Sequence, residues 1–160
     1  MNKAVFLDRD GVIIRDTDYG FKLEDTGFLP GALTAIAKLS EAGFKIIVVT
    51  NQSGIGRGYF SAEDVEKLHQ DINDAAGGKI EKFYYCKHKP EEGCDCRKPS
   101  PHFVFEAQKE FDIDLSRSYF VGDRDTDVEC GENAGVKESI LVSGEEDLIF
   151  VTDNIILKND

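Results

Sequence analysis

Short apolar runs alternate along the chain with segments whose apolar residues recur at helical spacing. Residues 3–7 (KAVFL) and 44–49 (FKIIVV) are almost entirely apolar and rich in β-branched or aromatic side chains, as in parallel strands that are covered on both faces. Residues 80–85, 118–121 and 140–142 are weaker strand candidates. The pattern therefore predicts a mainly parallel sheet in which the first two runs are central strands.

The segments between these runs carry helix signals. Residues 30–43 (PGALTAIAKLSEAG) place apolar side chains on one stripe, with a proline near the start and a glycine at the end. Ser61 followed by Asp64 is a capping-box start for a second helix, which should stop at the following Gly-Gly pair. We expect two further helices, after Pro101 and over residues 126–135.

Regular alternation of strands and helices predicts an α/β fold, a doubly wound and mainly parallel Rossmann-like sheet whose ligands lie at the carboxyl ends of the strands. A chain of 160 residues suits one domain over residues 1–160. The segments after Asp8 and Thr50 are too short to hold an added domain, so we expect no separate cap. We interpret residues 148–160 (LIFVTDNIILKND) as one or two small closing strands and a frayed end.

Composition and charge argue against several classes of protein. The chain is 41% hydrophobic and 31% charged, with no apolar run near the roughly 20 residues that cross a bilayer. Residues 1–3 lead straight into an apolar run, which leaves no room for a signal peptide, so we expect a cytoplasmic protein without a membrane partner. A net charge of −12 disfavours nucleic acid as a partner. We expect a monomer.

Two carboxylates directly follow the first predicted strand, in the sequence Asp8-Arg9-Asp10-Gly11. Phosphoryl transfer needs a nucleophile, a group that protonates the leaving oxygen, and positive charge around the phosphorus. An Asp pair one residue apart can supply the first two. An isolated Asp-Gly pair is more often an ordinary turn, so the interpretation depends on the rest of the chain.

Other strand ends supply the missing groups. The second predicted strand runs into Thr50-Asn51-Gln52-Ser53-Gly54, whose hydroxyl, amide and backbone donors suit a phosphate. Arg97 and Lys98 provide cations. Gly122-Asp123 follows another strand, with Asp127 four residues later, and an acidic group there would complete a magnesium site with Asp8.

A cluster of soft metal ligands precedes Arg97. Cys86 and His88 are followed, after five residues, by Cys94 and Cys96. Three thiolates and an imidazole suit tetrahedral Zn²⁺, and a site with no ligand position left open is structural. Cysteines in a cytosolic chain favour metal ligation over disulfides. Zinc in this loop would fix the phosphate-facing cations that follow it.

These motifs, in this order, resemble those of the haloacid dehalogenase superfamily of phosphatases: DxD, a Thr or Ser, a Lys, and GDxxxD. The resemblance runs from about residue 3 to residue 142. It implies that Asp8 attacks phosphorus, that Asp10 acts as acid and then as base, and that Thr50 and Lys98 hold the phosphoryl group. It also implies that Asp8, Asp10 and Asp123 hold Mg²⁺, Asp10 through its backbone carbonyl.

The segments CKH…CDCRKP, DRDGV and TNQSGIGRGYF look like those of the D-glycero-D-manno-heptose 1,7-bisphosphate phosphatases and their histidinol-phosphate phosphatase relatives. TNQSGIxRGxF is typical of the heptose enzymes and implies hydrolysis of the C7 phosphate. Arg124 resembles the other branch, so histidinol phosphate or another small sugar phosphate is the alternative substrate. The resemblance implies substrate contacts at Asp16, Thr17, Asp18, Tyr19, Thr50, Asn51, Gln52, Ser53, Arg97, Lys98 and Arg124.

Rival functions explain fewer of the residues. A polynucleotide 3′-phosphatase is disfavoured by the acidity of the chain. A phospho-acceptor receiver domain carries its acceptor Asp after the third strand, which here ends at Cys86. A zinc-stabilised binding module does not explain the Asp8, Asp10 and Asp123 carboxylates. We interpret His69, among charged neighbours on a predicted helix, as a solvated or helix-packing residue.

Overall fold

A computed structural model describes residues 1–145 and 147–159 of the chain. Its centre is one sheet of five strands in the order β3-β2-β1-β4-β5, and every pairing is parallel. The strands are β1 (Lys3–Leu7), β2 (Phe44–Asn51), β3 (Ile80–Cys86), β4 (Tyr119–Gly122) and β5 (Glu138–Leu141). The predicted fold class is confirmed, although β5 begins two residues before the predicted strand at 140–142.

Helices connect these strands, and the start and stop signals in the sequence explain the bounds of several. Ser61 accepts a hydrogen bond from the Asp64 backbone N–H, and Asp64 accepts one from Ser61 N–H, so the predicted capping box is present. Gly43, after the first predicted helix, has a positive φ of 90°. The helices are α1 (Leu23–Thr26), α2 (Ala32–Glu41), α3 (Ser53–Gly56), α4 (Ala62–Ala75), α5 (His102–Phe111), α6 (Asp125–Ala134) and α7 (Asp147–Lys158).

Alternate residues of the central strand enter two separate apolar clusters. Val5 and Leu7 of β1 pack in one cluster, whereas Ala4 and Phe6 pack in the other. Successive side chains of a strand point to opposite faces, so β1 is covered on both sides, as its continuous apolar run indicates. The β1 backbone is therefore fixed from both faces up to the first residue of the Asp8–Asp10 motif.

The chain reverses its direction of winding between β1 and β4. From β1 it proceeds to β2 and β3 on one side, and it then returns to β4 and β5 on the other. Ligands of such sheets bind at this switch point, beyond the carboxyl ends of the strands. Asp8 and Asp123 follow the two strands that flank it. The order also differs from the 2-1-3-4-5 order of receiver-like sheets, which argues against that rival fold.

The prediction of closing strands near the carboxyl terminus is wrong, because residues from Asp147 to Lys158 form α7. Leu148, Thr152 and Ile155 recur at helical spacing and are the buried residues of this helix. The β-branched content of the segment favoured strands, but packing against α2 decides its conformation. Asp160 lies outside the described residues. None of the helices in the described part of the chain is long and apolar enough to cross a bilayer.

Candidate active site

The loop after β1 brings Asp8 to the carboxyl edge of the sheet. Asp8 N–H donates to the Val121 carbonyl of β4 over 3.0 Å, so the residue still continues the strand pairing. Gly11 has a φ of 81°, and a Cβ at this position would collide with the Asp123 carboxylate. The backbone of the loop can approach Asp123 this closely only because residue 11 is glycine.

Lys98 lies between two buried carboxylates. Its Nζ is 3.0 Å from Asp8 Oδ1 and 2.6 Å from Asp127 Oδ1, and it also donates to the Val49 carbonyl over 2.9 Å. Burial favours the neutral amine, but the two carboxylates outweigh that effect and raise the pKa of Lys98. The cation therefore stays charged beside the first acid of the motif.

Three carboxylates, of Asp8, Asp123 and Asp127, place oxygens within 4.8 Å of one another. Asp127 Oδ2 is already engaged, since it accepts from the backbone N–H groups of Asp123 and Arg124 over 3.1 Å. Asp123 Oδ1 is buried and has no hydrogen-bond partner within residues 1–145 and 147–159. A buried, unpartnered carboxylate oxygen beside a second carboxylate fits a hard divalent cation such as Mg²⁺.

Burial and mutual repulsion disfavour ionisation of two of these acids. The pKa of Asp8 is raised to about 6, mainly by burial and against the opposing effect of Lys98. The pKa of Asp123 is also raised to about 6, by burial and then by the charge of Asp8. A divalent cation would favour the ionised form of both carboxyl groups.

The Asp10 side chain has hydrogen-bond partners of its own. Arg9 Nε lies 3.0 Å from Asp10 Oδ1 and Arg9 Nη2 lies 3.2 Å from Oδ2. Gln52 Nε2 donates to Asp10 Oδ2 over 3.1 Å and to Thr50 Oγ1 over 2.9 Å. The Asp10 carboxylate is not part of the cluster of Asp8, Asp123 and Asp127, and the resemblance places Asp10 at the ion only through its backbone carbonyl.

These groups border a cleft of about 420 Å³ at the carboxyl edge of the sheet. Of the predicted catalytic, substrate-binding and magnesium-binding residues, Thr17 and Asp123 are absent from its lining, although an Asp123 oxygen lies within 4.8 Å of an Asp8 oxygen. Five residues that were not among the predicted catalytic, substrate-binding or metal-binding residues also line it: Gly54, Arg57, Asp125, Thr126 and Asp127. The predicted site residues that do line it are Asp8, Asp10, Asp16, Asp18, Tyr19, Thr50, Asn51, Gln52, Ser53, Arg97, Lys98 and Arg124.

Four cations and the Tyr19 ring line the cleft. Arg57, Arg97 and Arg124 line it together with Lys98, in a chain whose net charge is −12. Arg124 forms an ion pair with Asp16 over 3.3 Å. The Tyr19 ring meets the Tyr59 ring edge to face, with centroids 4.8 Å apart. The cleft thus places four cations, which suit phosphate oxygens, among six carboxylates.

The predicted zinc ligands Cys86, His88, Cys94 and Cys96 come together in one cluster. The Cys94 and Cys96 sulfurs are 3.8 Å apart, Cys86 and Cys94 are 3.4 Å apart, and His88 Nδ1 lies 3.4 and 3.6 Å from Cys96 and Cys86. Tetrahedral Zn²⁺ with bonds of ~2.3 Å to sulfur separates its ligand atoms by ~3.8 Å. Only the 2.7 Å between Cys86 and Cys96 is much shorter. The donor set fits zinc.

Sequence reasoning missed two buried residues that support Asp10: Arg9, which contacts Asp10, and His69, which contacts Arg9. Arg9 is 1% exposed, and His69 of α4 is 5% exposed. The interpretation of His69 as a packing residue is confirmed, because its ring stacks on Phe83 with centroids 4.3 Å apart. Its 3.1 Å contact with Arg9 spans 60 positions of sequence, and no local pattern indicates it.

A HAD-hydrolase-like family model matches residues 95–148. The D-glycero-beta-D-manno-heptose-1,7-bisphosphate 7-phosphatase of Helicobacter pylori strain J99 is 40% identical over 89% of this chain and 84% of the relative. The D-glycero-alpha-D-manno-heptose-1,7-bisphosphate 7-phosphatase of Photorhabdus laumondii is 36% identical over 99% and 92%.

Among solved structures, the D,D-heptose 1,7-bisphosphate phosphatase of B. bronchiseptica, complexed with magnesium and phosphate, superposes with a TM-score of 0.88. It is 29% identical in sequence, over 98% of this chain and 99% of that chain. The shared fold, the four ordered motifs and the sequence identity to relatives along most of their length all indicate the same family. The chain therefore belongs to the haloacid dehalogenase-like phosphatases, in the family of the D-glycero-D-manno-heptose-1,7-bisphosphate 7-phosphatases.

Proposed function

We propose that residues 1–160 form a single phosphatase domain that hydrolyses the C7 phosphate of D-glycero-D-manno-heptose 1,7-bisphosphate through a phosphorylated Asp8. The observation that carries this proposal is the arrangement around Asp8. The buried Asp8 carboxylate is 3.0 Å from Lys98 Nζ and within 4.8 Å of an Asp123 oxygen, and it lines a cleft that also contains three arginines. The identity of the sugar is inferred from the names of the relatives.

Asp8 serves as the nucleophile in this proposal. One of its oxygens attacks phosphorus while the bond from phosphorus to the sugar oxygen breaks, which leaves an acyl phosphate on Asp8. Lys98 and Thr50 line the cleft beside it and stabilise the negative charge of the transferred group. Asn51 supports Lys98, because its Oδ1 accepts the Lys98 backbone N–H over 3.1 Å.

Asp10 transfers the proton in both half-reactions. It gives a proton to the sugar oxygen as that oxygen leaves, and it then takes a proton from the water that attacks the acyl phosphate. The water oxygen ends in inorganic phosphate, and Asp8 is released as a carboxylate. The 29% exposure of the Asp10 side chain leaves it accessible from the cleft, which both transfers require.

Asp8 and Asp123 are the side chains that would hold Mg²⁺, with the Asp10 backbone carbonyl as a further ligand. The bound ion would offset the negative charge of the phosphoryl group and of Asp8. Asp127 has a structural role in this proposal and is not a ligand of the ion. It holds Lys98 through one carboxylate oxygen and caps the start of α6 with the other.

A second phosphate on the substrate would account for the three arginines that line the cleft. Lys98 is engaged by Asp8 and Asp127, whereas Arg57, Arg97 and Arg124 are further cations that line the same cleft. The Arg97 Nη1 atom is buried and lacks a hydrogen-bond partner in the described part of the chain. Arginine suits phosphate because its fork of donors matches the phosphate oxygens. Of the remaining predicted contacts, Asp16, Asp18, Tyr19, Gln52 and Ser53 line the cleft and would surround the sugar, whereas Thr17 is not part of the lining.

Zinc at Cys86, His88, Cys94 and Cys96 has a structural role in this proposal. Cys96 directly precedes Arg97 and Lys98, so a closed zinc site fixes the backbone from which both cations extend. Metal analysis of the purified protein should find one zinc per chain. Removal of zinc by a chelator should lower phosphate release, and zinc-free protein with full activity would contradict this role.

The substrate is tested by measuring phosphate release from heptose 1,7-bisphosphate, heptose 1-phosphate and histidinol phosphate. We expect the bisphosphate to have the highest kcat/KM and the product to keep its phosphate at C1. Asp8→Asn serves as the control and should abolish turnover. Hydrolysis of histidinol phosphate alone would move the assignment to the other branch, and near wild-type activity of Asp8→Asn would refute the nucleophile.

A further inference from the structure

Arg9 is a fully buried arginine that binds the second carboxylate of the motif with two donors. Its side chain is 1% exposed, and its Nε and Nη2 atoms lie 3.0 and 3.2 Å from the two Asp10 oxygens. A two-point contact of this kind fixes the plane of a carboxyl group as well as its place. The Arg9 side chain is buried, whereas the Asp10 side chain is 29% exposed.

His69 contacts Arg9 Nη1, the guanidinium nitrogen that does not contact Asp10. Arg9 Nη1 is 3.1 Å from His69 Nε2, and a guanidinium can only donate. His69 Nε2 must therefore accept, which requires the neutral ring with its hydrogen on Nδ1. Burial, followed by the charge of Arg9, lowers the pKa of His69 to about 3 and keeps the ring neutral. Stacking on Phe83 and an edge contact with Tyr85 fix its orientation.

We propose that Arg9 and His69 are positioning residues, which hold the Asp10 carboxyl group at the angle from which it exchanges a proton with the substrate oxygen. This inference rests on the proposed role of Asp10 as acid and base. The chain of contacts runs from the packed face of α4 through His69 and Arg9 to Asp10, and Gln52 Nε2 also donates to Asp10 Oδ2. After Asp10 has given up its proton, Arg9 also stabilises the resulting carboxylate. Arg9 and His69 themselves neither gain nor lose a proton.

The test replaces His69 by phenylalanine, which can still stack on Phe83 but offers no acceptor to Arg9. Alkoxide leaving groups need a proton, whereas p-nitrophenolate departs readily without one. We expect His69→Phe to lower kcat/KM for heptose 1,7-bisphosphate about 10- to 100-fold, because small misplacements of a reacting group have such effects. The kcat/KM for p-nitrophenyl phosphate should fall less than about threefold.

Three further variants separate positioning from general loosening. His69→Gln presents an acceptor oxygen to Arg9 and should restore most of the loss. Ile72→Val, on the buried face of the same helix, should lower thermal stability without changing the ratio of the two kcat/KM values. Asp10→Asn should show the same contrast between substrates as His69→Phe, only larger. If Asp10→Asn lacks this contrast, the proposed acid is wrong. If Asp10→Asn shows it and His69→Phe does not, the positioning role is wrong.

A measurement on the unaltered protein keeps the inference testable even if a variant fails to fold. The chain has three histidines, so ¹⁵N NMR of histidine-labelled protein can resolve each ring. We expect His69 to be neutral from pH 6 to pH 8, with hydrogen on Nδ1 and none on Nε2. A hydrogen on Nε2 would remove the acceptor on which the support of Arg9 depends and would overturn the proposal.

Discussion

Replacing Lys98 by methionine removes the cation that separates two buried carboxylates. Lys98 is 3% exposed, and its partners Asp8 and Asp127 are 9% and 1% exposed at their side chains. Methionine keeps the length of the side chain and fills most of its volume. The variant therefore tests the charge more than the packing, and it leaves two carboxylates without their counter-ion.

The expected loss of stability is large, because solvent does not screen these groups. Removing one partner of a buried ion pair costs about 3–5 kcal/mol, which for a chain of this size corresponds to a fall in Tm of about 6–20 °C. The loss should be smaller at pH 5 than at pH 7.5. Without Lys98 the pKa of Asp8 rises above its present value of about 6, so the carboxyl group is neutral at the lower pH.

The assay is urea unfolding of wild type and variant at both pH values, combined with phosphate release. Lys82→Met is the matched control, since Lys82 pairs with Glu110 over 2.8 Å but both side chains are 43% exposed. That change should cost less than about 1 kcal/mol and leave activity intact. Lys98→Met should lose at least about 100-fold in kcat. Equal destabilisation by the two substitutions would refute the buried arrangement around Asp8.

Two further predictions concern the acidic cluster and the last helix. Because the folded-state pKa values of Asp8 and Asp123 are raised from 3.8 to about 6, the metal-free protein should lose stability as pH rises from about 4 to 6. Mg²⁺ favours the ionised carboxylates, so it should raise Tm more at pH 7.5 than at pH 5. Equal increases in Tm at the two pH values would contradict this prediction. Ile155→Ala should cost about 2–5 kcal/mol in urea unfolding, since Ile155 of α7 is 1% exposed. Leu157→Ala, at a position that is 70% exposed, should cost less than about 0.5 kcal/mol, and a similar loss at both positions would argue against this helix.

The sheet and the main site could be predicted from sequence because their signals are local. A buried parallel strand is a continuous apolar run, and β1 and β2 have this pattern. Residues at or just after the carboxyl ends of such strands lie at one edge of the sheet, so topology alone places Asp8, Thr50 and Asp123 there. The zinc ligands lie within 11 consecutive residues, from Cys86 to Cys96, and need no long-range information.

The features that sequence reasoning missed depend on contacts between distant segments. The conformation of residues 147–158 is set by packing against α2, which outweighs the strand propensity of the β-branched residues. Asp127 resembles a metal ligand in its motif, yet its oxygens bind Lys98 and two backbone N–H groups. The contact between Arg9 and His69 is visible only once α4 lies against the sheet.

The most direct test of the account is to trap the phosphorylated state with a fluoroberyllate mimic in the presence of Mg²⁺ and to determine the crystal structure. We expect beryllium bonded to an oxygen of Asp8, with fluorines close to Lys98 Nζ and Thr50 Oγ1 and with the ion between Asp8 and Asp123. Density on another side chain, or an Asp8 without density at saturating mimic and Mg²⁺, would contradict the proposal that phosphorus passes through this residue.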